Sequence, residues 1–90
     1  MILHIEGFDW REWVLEKIIE KHGVESEEVE QVFFNSPCKV RRSESGKFLL
    51  YGRSNGGRYL FVVFAWDGYL VRVISARDMT PSERRYYERK

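Results

Sequence analysis

The hydrophobic spacing of this chain changes from about 3.6 to about two at Pro37, and the change dictates helices before it and strands after. Ahead of it, Trp10, Trp13, Val14 and Ile18 recur at the i, i+3, i+4, i+8 spacing of one buried helical face. Asp9 is the expected N-cap of this helix, which should run to about Lys21. Lys21 and His22 suit the negative end of the helix dipole, and Gly23 supplies the left-handed residue that ends it. A second helix should begin near Ser26, with Glu27 and Glu28 in its first turn, and stop at Asn35-Ser36-Pro37. Val29, Val32 and Phe33 form its apolar stripe.

Beyond Pro37 the period is about two. Strands are expected over Cys38–Arg42, Lys47–Ser54 and Arg58–Trp66, followed by a fourth after the Asp67-Gly68 turn. A two-residue loop there pairs Trp66 with Tyr69, Phe64 with Val71, Val63 with Arg72 and Phe61 with Ile74. Both faces of this hairpin are largely apolar, which predicts a central position in the sheet. The preceding turn admits two registers. A two-residue loop sets Arg53 against Arg58, a like-charge pair; a three-residue loop through Gly57 pairs Ser54 with Arg58. The second is favoured, and it moves Arg53 to the face that holds Arg72. Thr80-Pro81-Ser82-Glu83 then combines a capping box with Pro at the first helical position, predicting a final helix from Pro81 to about Arg89.

Ninety residues make one domain, spanning 1–90. Fourteen aromatics and a net charge of +1 exclude a disordered chain. The single Cys38 cannot form an intramolecular disulfide, and one Cys with two His cannot fill a Cys/His zinc site. No cofactor, no metal and no membrane span are expected, and the cytoplasm is the default location.

The near-neutral total conceals a strong asymmetry. Residues 1–30 carry nine carboxylates against three cationic side chains, and residues 31–90 carry twelve cationic side chains against five carboxylates. Such a split points to a polyanionic partner. Arg53, Arg58, Arg72 and Arg77 fall on strands or strand ends, and Arg84 and Arg85 on the last helix. A guanidinium fork binds phosphate through two hydrogen bonds, and interleaved aromatics stack on unpaired bases. RNA cleavage by a neighbouring 2′-hydroxyl asks for a base, an acid and cations around the transition state, and it needs no metal. The glycine-rich stretch Gly52–Gly57 reads as a hairpin turn and Cys38 as a structural thiol.

Several stretches resemble one family: Phe8-Asp9-Trp10, Lys21-His22-Gly23-Val24, Val32-Phe33, Tyr51-Gly52-Arg53-Ser54, Gly57-Arg58, Val71 through Arg77, and Glu83 through Tyr87. In this order and spacing they are similar to the BrnT toxins of type II toxin–antitoxin modules, over nearly the whole chain. The resemblance implies an α+β, RelE-like fold: N-terminal helices packed on a mostly antiparallel four-stranded sheet, plus a short C-terminal helix. It also implies a metal-independent ribonuclease that arrests translation and is neutralised by a ribbon-helix-helix antitoxin, with operator DNA contacted through that antitoxin. The alternative is a non-catalytic RNA- or protein-binding module that keeps the fold. The chain departs from the family pattern at Arg11, Val14 and Ile18, where polar residues are common, and at Gly46-Lys47, where the family carries a Glu-Arg pair.

The site residues expected on these grounds fall into two groups. Arg53 and Arg72 are the leading candidates for phosphate or transition-state stabilisation, against ion pairing with the Glu-rich helices as the competing reading. His22 is a candidate for proton transfer and Lys47 for phosphate binding or a base role. Arg58, Arg77, Arg84 and Tyr87 are candidates for RNA or antitoxin contact, whereas Tyr86 is expected in the core and Glu83 in the capping box.

Overall fold

The computed structural model describes residues 4–43 and 45–89. The chain runs β1 (Gly7–Asp9), α1 (Glu12–His22), α2 (Ser26–Phe34), β2 (Lys39–Arg42), β3 (Phe48–Arg53), β4 (Tyr59–Asp67), β5 (Leu70–Asp78) and α3 (Pro81–Glu88). Met1, Ile2 and Leu3, Glu44 between β2 and β3, and Lys90 lie outside the described residues.

The sheet has five strands in the order β1-β5-β4-β3-β2, so the expected four-stranded sheet is corrected to a mixed one. The added member is β1, which lies parallel to β5 with Asp9 beside Arg72. Three residues are too few to show a period of two, which is why this strand does not stand out in the sequence. Its formation also overturns Asp9 as N-cap. Asp9 belongs to the strand and its carboxylate is held by Arg72 at 3.3 Å and Arg11 at 3.5 Å. Arg11, in an extended conformation, precedes the helix with no side-chain cap.

The remaining pairs are antiparallel. Between β3 and β4 the three-residue loop is the one formed. Arg53 pairs with Tyr59, Ser54 N–H donates to the Arg58 carbonyl at 2.9 Å, and Gly57 closes the turn at φ +86°. The β4–β5 hairpin departs from the expected register by two residues, with Trp66 opposite Val71 and Ala65 opposite Arg72. An Asp-Gly turn of the mirror-image type I needs positive φ at both residues, whereas here the turn residues are Gly68, at φ +63°, and Tyr69. Glycine first is the arrangement that leaves Asp67 in the strand. Up to Val73 that shift is even and the side chains keep their expected faces; beyond it the offset is three, with Phe61 opposite Arg77 rather than Ile74, so Ser75, Ala76 and Arg77 exchange faces. Farther along, Val63 opposes Ser75 while Phe64 opposes Val73, so Ile74 is an extra, bulged residue.

Helices α1 and α2 pack on one face, here the inner face. Val14, Ile18, Val29, Val32 and Phe33 bury there against Leu50, Leu60, Val62, Phe64, Val71, Val73 and Ala76. Two of the family departures, Val14 and Ile18, are core residues, 1% and 0% exposed. Helix α3 crosses the outer face over β3, with Tyr86 against Tyr51 at 4.9 Å between ring centres. Its capping box forms as the sequence predicts: Glu83 N–H donates to Thr80 Oγ1 at 3.2 Å and Thr80 N–H to Glu83 Oε1 at 2.9 Å. Among the described residues no helix is long and apolar enough to cross a membrane.

Candidate functional site: a cationic cavity beside the third helix

Side chains alternate along a strand, so the residues between core positions all face outward. By that rule Arg53 on β3, Tyr59 and Phe61 on β4, and Arg72 and Arg77 on β5 share the outer face. Sharing a face does not bring them together. Arg53 stands opposite Tyr59 and Arg72 opposite Ala65, six residues farther along β4. At about 3.3 Å per residue that is roughly 20 Å. Arg72 is moreover neutralised where it stands, by Asp9 at 3.3 Å and Asp67 at 3.1 Å. The expected convergence of Arg53 and Arg72 on one pocket is therefore not what the fold provides.

Arg53 does stand at a cavity. An open depression of about 860 Å³ is lined by Asn35, Ser36 and Pro37 after α2, Lys39 on β2, Arg53, Ser54, Asn55 and Gly57 around the turn, Tyr59, Tyr87 and Glu88 of α3, and Arg89 just after it. The guanidinium of Arg53 lies 4.7 Å from the centre of the Tyr59 ring, and that of Arg84 lies 3.8 Å from the same ring. Among the described residues neither arginine has a carboxylate within ion-pairing distance. Arg53 has only a long contact, 3.4 Å, from Nε to the Gly57 carbonyl. Two cations on one ring without a carboxylate partner favour the approach of an anion. The Tyr59 hydroxyl donates to Glu88 at 3.1 Å, which places a carboxylate on the cavity wall.

The other expected site residues are elsewhere or already engaged. Arg58 is a clasp. It donates to both Asp78 oxygens at 2.7 and 3.0 Å, to Glu28 at 3.1 Å, and to the His22 and Gly23 carbonyls at 3.0 and 2.8 Å. The Lys-His-Gly motif thus presents its main-chain oxygens to Arg58 and ties the end of α1 to β4 and β5. Through the hydrogen bonds from Arg58, Asp78 titrates below the ordinary aspartate value. Arg77 makes a two-pronged pair with Glu83, at 2.7 and 2.8 Å, and lies 4.4 Å over the Phe61 ring. That pair holds Glu83 below the ordinary glutamate value and fixes the start of α3 on the sheet. Lys47 precedes β3, at the opposite end of that strand from Arg53.

Tyr87 lines the cavity but is buried, and its hydroxyl is spent on the Pro37 carbonyl at 2.7 Å. Burial pushes its pKa up, opposed by nearby Arg53. Tyr86 is the half-buried one of the two, with Lys39 and Arg41 over its ring. Cys38 is raised by burial, away from the thiolate form a nucleophile needs. Sequence reasoning missed Tyr59, Asn35, Asn55, Lys39 and Glu88. Tyr59 was within reach, since the favoured three-residue loop places it opposite Arg53. The others come from segments that meet only in the folded chain.

Comparison with known proteins agrees with this arrangement of elements. A family model described as the ribonuclease toxin BrnT of type II toxin–antitoxin systems matches residues 10–83. The 1.1 Å crystal structure of the Brucella abortus ribonuclease toxin BrnT is similar, with a TM-score of 0.69 at 25% identity, over 82% of this chain and 96% of that one. Among curated protein sequences there is no significant match. With three-quarters or more of its length covered by the family model and by the solved structure, the chain belongs to the BrnT family of ribonuclease toxins from type II toxin–antitoxin systems.

Proposed function

We propose that this chain is an endoribonuclease that binds single-stranded RNA across the cavity between β3, β4 and α3 and cuts it without a metal. The observation that carries the reading is the pair of unneutralised guanidiniums, Arg53 and Arg84, over the ring of Tyr59. In the reaction, a ribose 2′-hydroxyl attacks the adjacent phosphorus. The P–O5′ bond breaks and a 2′,3′-cyclic phosphate and a free 5′-hydroxyl result. Arg53 and Arg84 stabilise the charge that builds on the phosphoryl oxygens. Glu88, the carboxylate on the cavity wall, accepts the 2′-hydroxyl proton, and water protonates the departing 5′-oxygen. His22 and Lys47 lie away from this cavity, so the reading gives them no step.

The family implies an RNA substrate and an antitoxin partner. In this reading the antitoxin is of the ribbon-helix-helix type, carries the operator DNA contacts, and silences the toxin in the cytoplasm by occupying the basic outer face. The fold is read as RelE-like, with the open outer face as the RNA side.

The test is expression of the chain alone, followed by incubation of the purified protein with total RNA in EDTA. Growth arrest and EDTA-resistant cleavage are expected, and Arg53→Ala should relieve the arrest and slow the cleavage about a hundredfold. RNA binding without cleavage would instead establish the non-catalytic module.

A further inference from the structure

The turn that carries Arg53 is held from outside the sheet by a chain of amide side chains. Asn35, the residue that follows α2, spends both N–H groups of its side chain on this turn. One donates to the main-chain carbonyl of Arg53 and the other to Asn55 Oδ1, each at 2.9 Å. Gln31, one helical turn earlier, accepts the main-chain N–H of Asn55 at 2.9 Å. Main-chain partners fix these orientations: a carbonyl only accepts, so Asn35 must present nitrogen, and an N–H only donates, so Gln31 must present oxygen. Asn55 then has to present its oxygen to Asn35. Helix α2 therefore grips the turn at Arg53 and again at Asn55. Among the described residues, the long 3.4 Å contact to Gly57 is the one polar contact of the Arg53 guanidinium.

We infer that Asn35, supported by Gln31, is a positioning residue for Arg53. By fixing the Arg53 carbonyl it sets where the guanidinium stands over the Tyr59 ring and the phosphate. This rests on the assignment of Arg53 to the reacting phosphate. The clasp is exposed and peripheral to the core, so its loss registers in catalysis rather than in folding. Misplacement of a charged group by an ångström is enough to cost tenfold or more in rate.

The test uses the full chain, a short RNA with a single cleavage site, and single-turnover rates with protein in excess, which keep slow variants measurable. Asn35→Ala should lower the maximal rate about tenfold while leaving the half-saturating protein concentration within about twofold and the thermal midpoint unchanged. In an Arg53→Ala background it should have no further effect, because the group it positions is gone. Gln31→Ala, which removes only the bond to Asn55, should give a smaller drop that also vanishes in that background. Multiplicative effects of Asn35→Ala and Arg53→Ala would overturn the positioning role while leaving Arg53 in place. A rate loss that follows a fall in thermal midpoint in both clasp variants would overturn it as well. Wild-type cleavage by Arg53→Ala alone would instead remove the site assignment beneath it.

Discussion

The Lys17 ammonium on α1 donates to the carbonyl of Ile74 at 2.8 Å. Ile74 is the bulged residue of β5, so the sheet ladder leaves it without a strand partner. A cation in the middle of the helix facing the sheet thus supports the irregularity opposite it. Lys17→Met keeps most of the aliphatic stem and removes the donor. It should destabilise the protein by about 1–3 kcal/mol, the cost of an unsatisfied carbonyl, read as a lower urea midpoint at unchanged slope.

Acid should loosen α3 from the sheet. Glu83 and Asp78 titrate below their ordinary values of 4.5 and 3.8 because Arg77 and Arg58 bond to their ionised forms. The folded chain then holds fewer protons than the unfolded one in that range. Stability is complete above the ordinary values and is lost as pH falls through the depressed ones. Glu83→Gln preserves the capping box, since glutamine also serves at that position, and removes the titration. Its unfolding midpoint should vary less between pH 5 and pH 3 than that of the wild type, measured by urea titration across that range.

Gly57 connects backbone conformation to the site. Its φ is +86°, and a Cβ there would stand 3.0 Å from Arg53 Nη2. Gly57→Ala should therefore cost about 1–2 kcal/mol in stability for the left-handed conformation. It should also reduce cleavage about tenfold at temperatures where both proteins are fully folded, because the guanidinium is displaced. Circular dichroism melting and a single-site RNA assay separate the two effects.

Arg58→Lys tests whether that arginine serves folding or RNA. A point-charged ammonium cannot reproduce the two-pronged bond to Asp78 together with the bonds to the His22 and Gly23 carbonyls. Stability should fall by about 2 kcal/mol, while RNA affinity, measured by fluorescence polarisation below the melting range, should stay unchanged.

How far these features are legible in the sequence depends on how local their causes are. The ends of α1 and α3 follow from Gly23 and from Thr80 with Glu83, each a signal within four residues. The β3–β4 register follows from the repulsion a two-residue loop would impose between Arg53 and Arg58. The β4–β5 register does not, because Asp67-Gly68 fits two turn types and only the backbone sign at Asp67 decides between them. Strand β1 exists because β5 offers it an edge, and three residues carry no period of their own. At the site, the alternation rule places Arg53 and Arg72 on one face correctly. Their separation along the sheet and the carboxylates that claim Arg72 are tertiary facts. Tyr59 and Glu88 gain meaning only once α3 has docked.

The sheet's two outermost strands are three and four residues long, and the second, Lys39–Arg42, is almost wholly cationic. Exposed edges are where β-proteins polymerise, and brevity and charge are what discourage it. A small domain with a largely apolar central hairpin can in this way resist edge-to-edge growth, its β2 margin repelling another copy of itself while still attracting a polyanion.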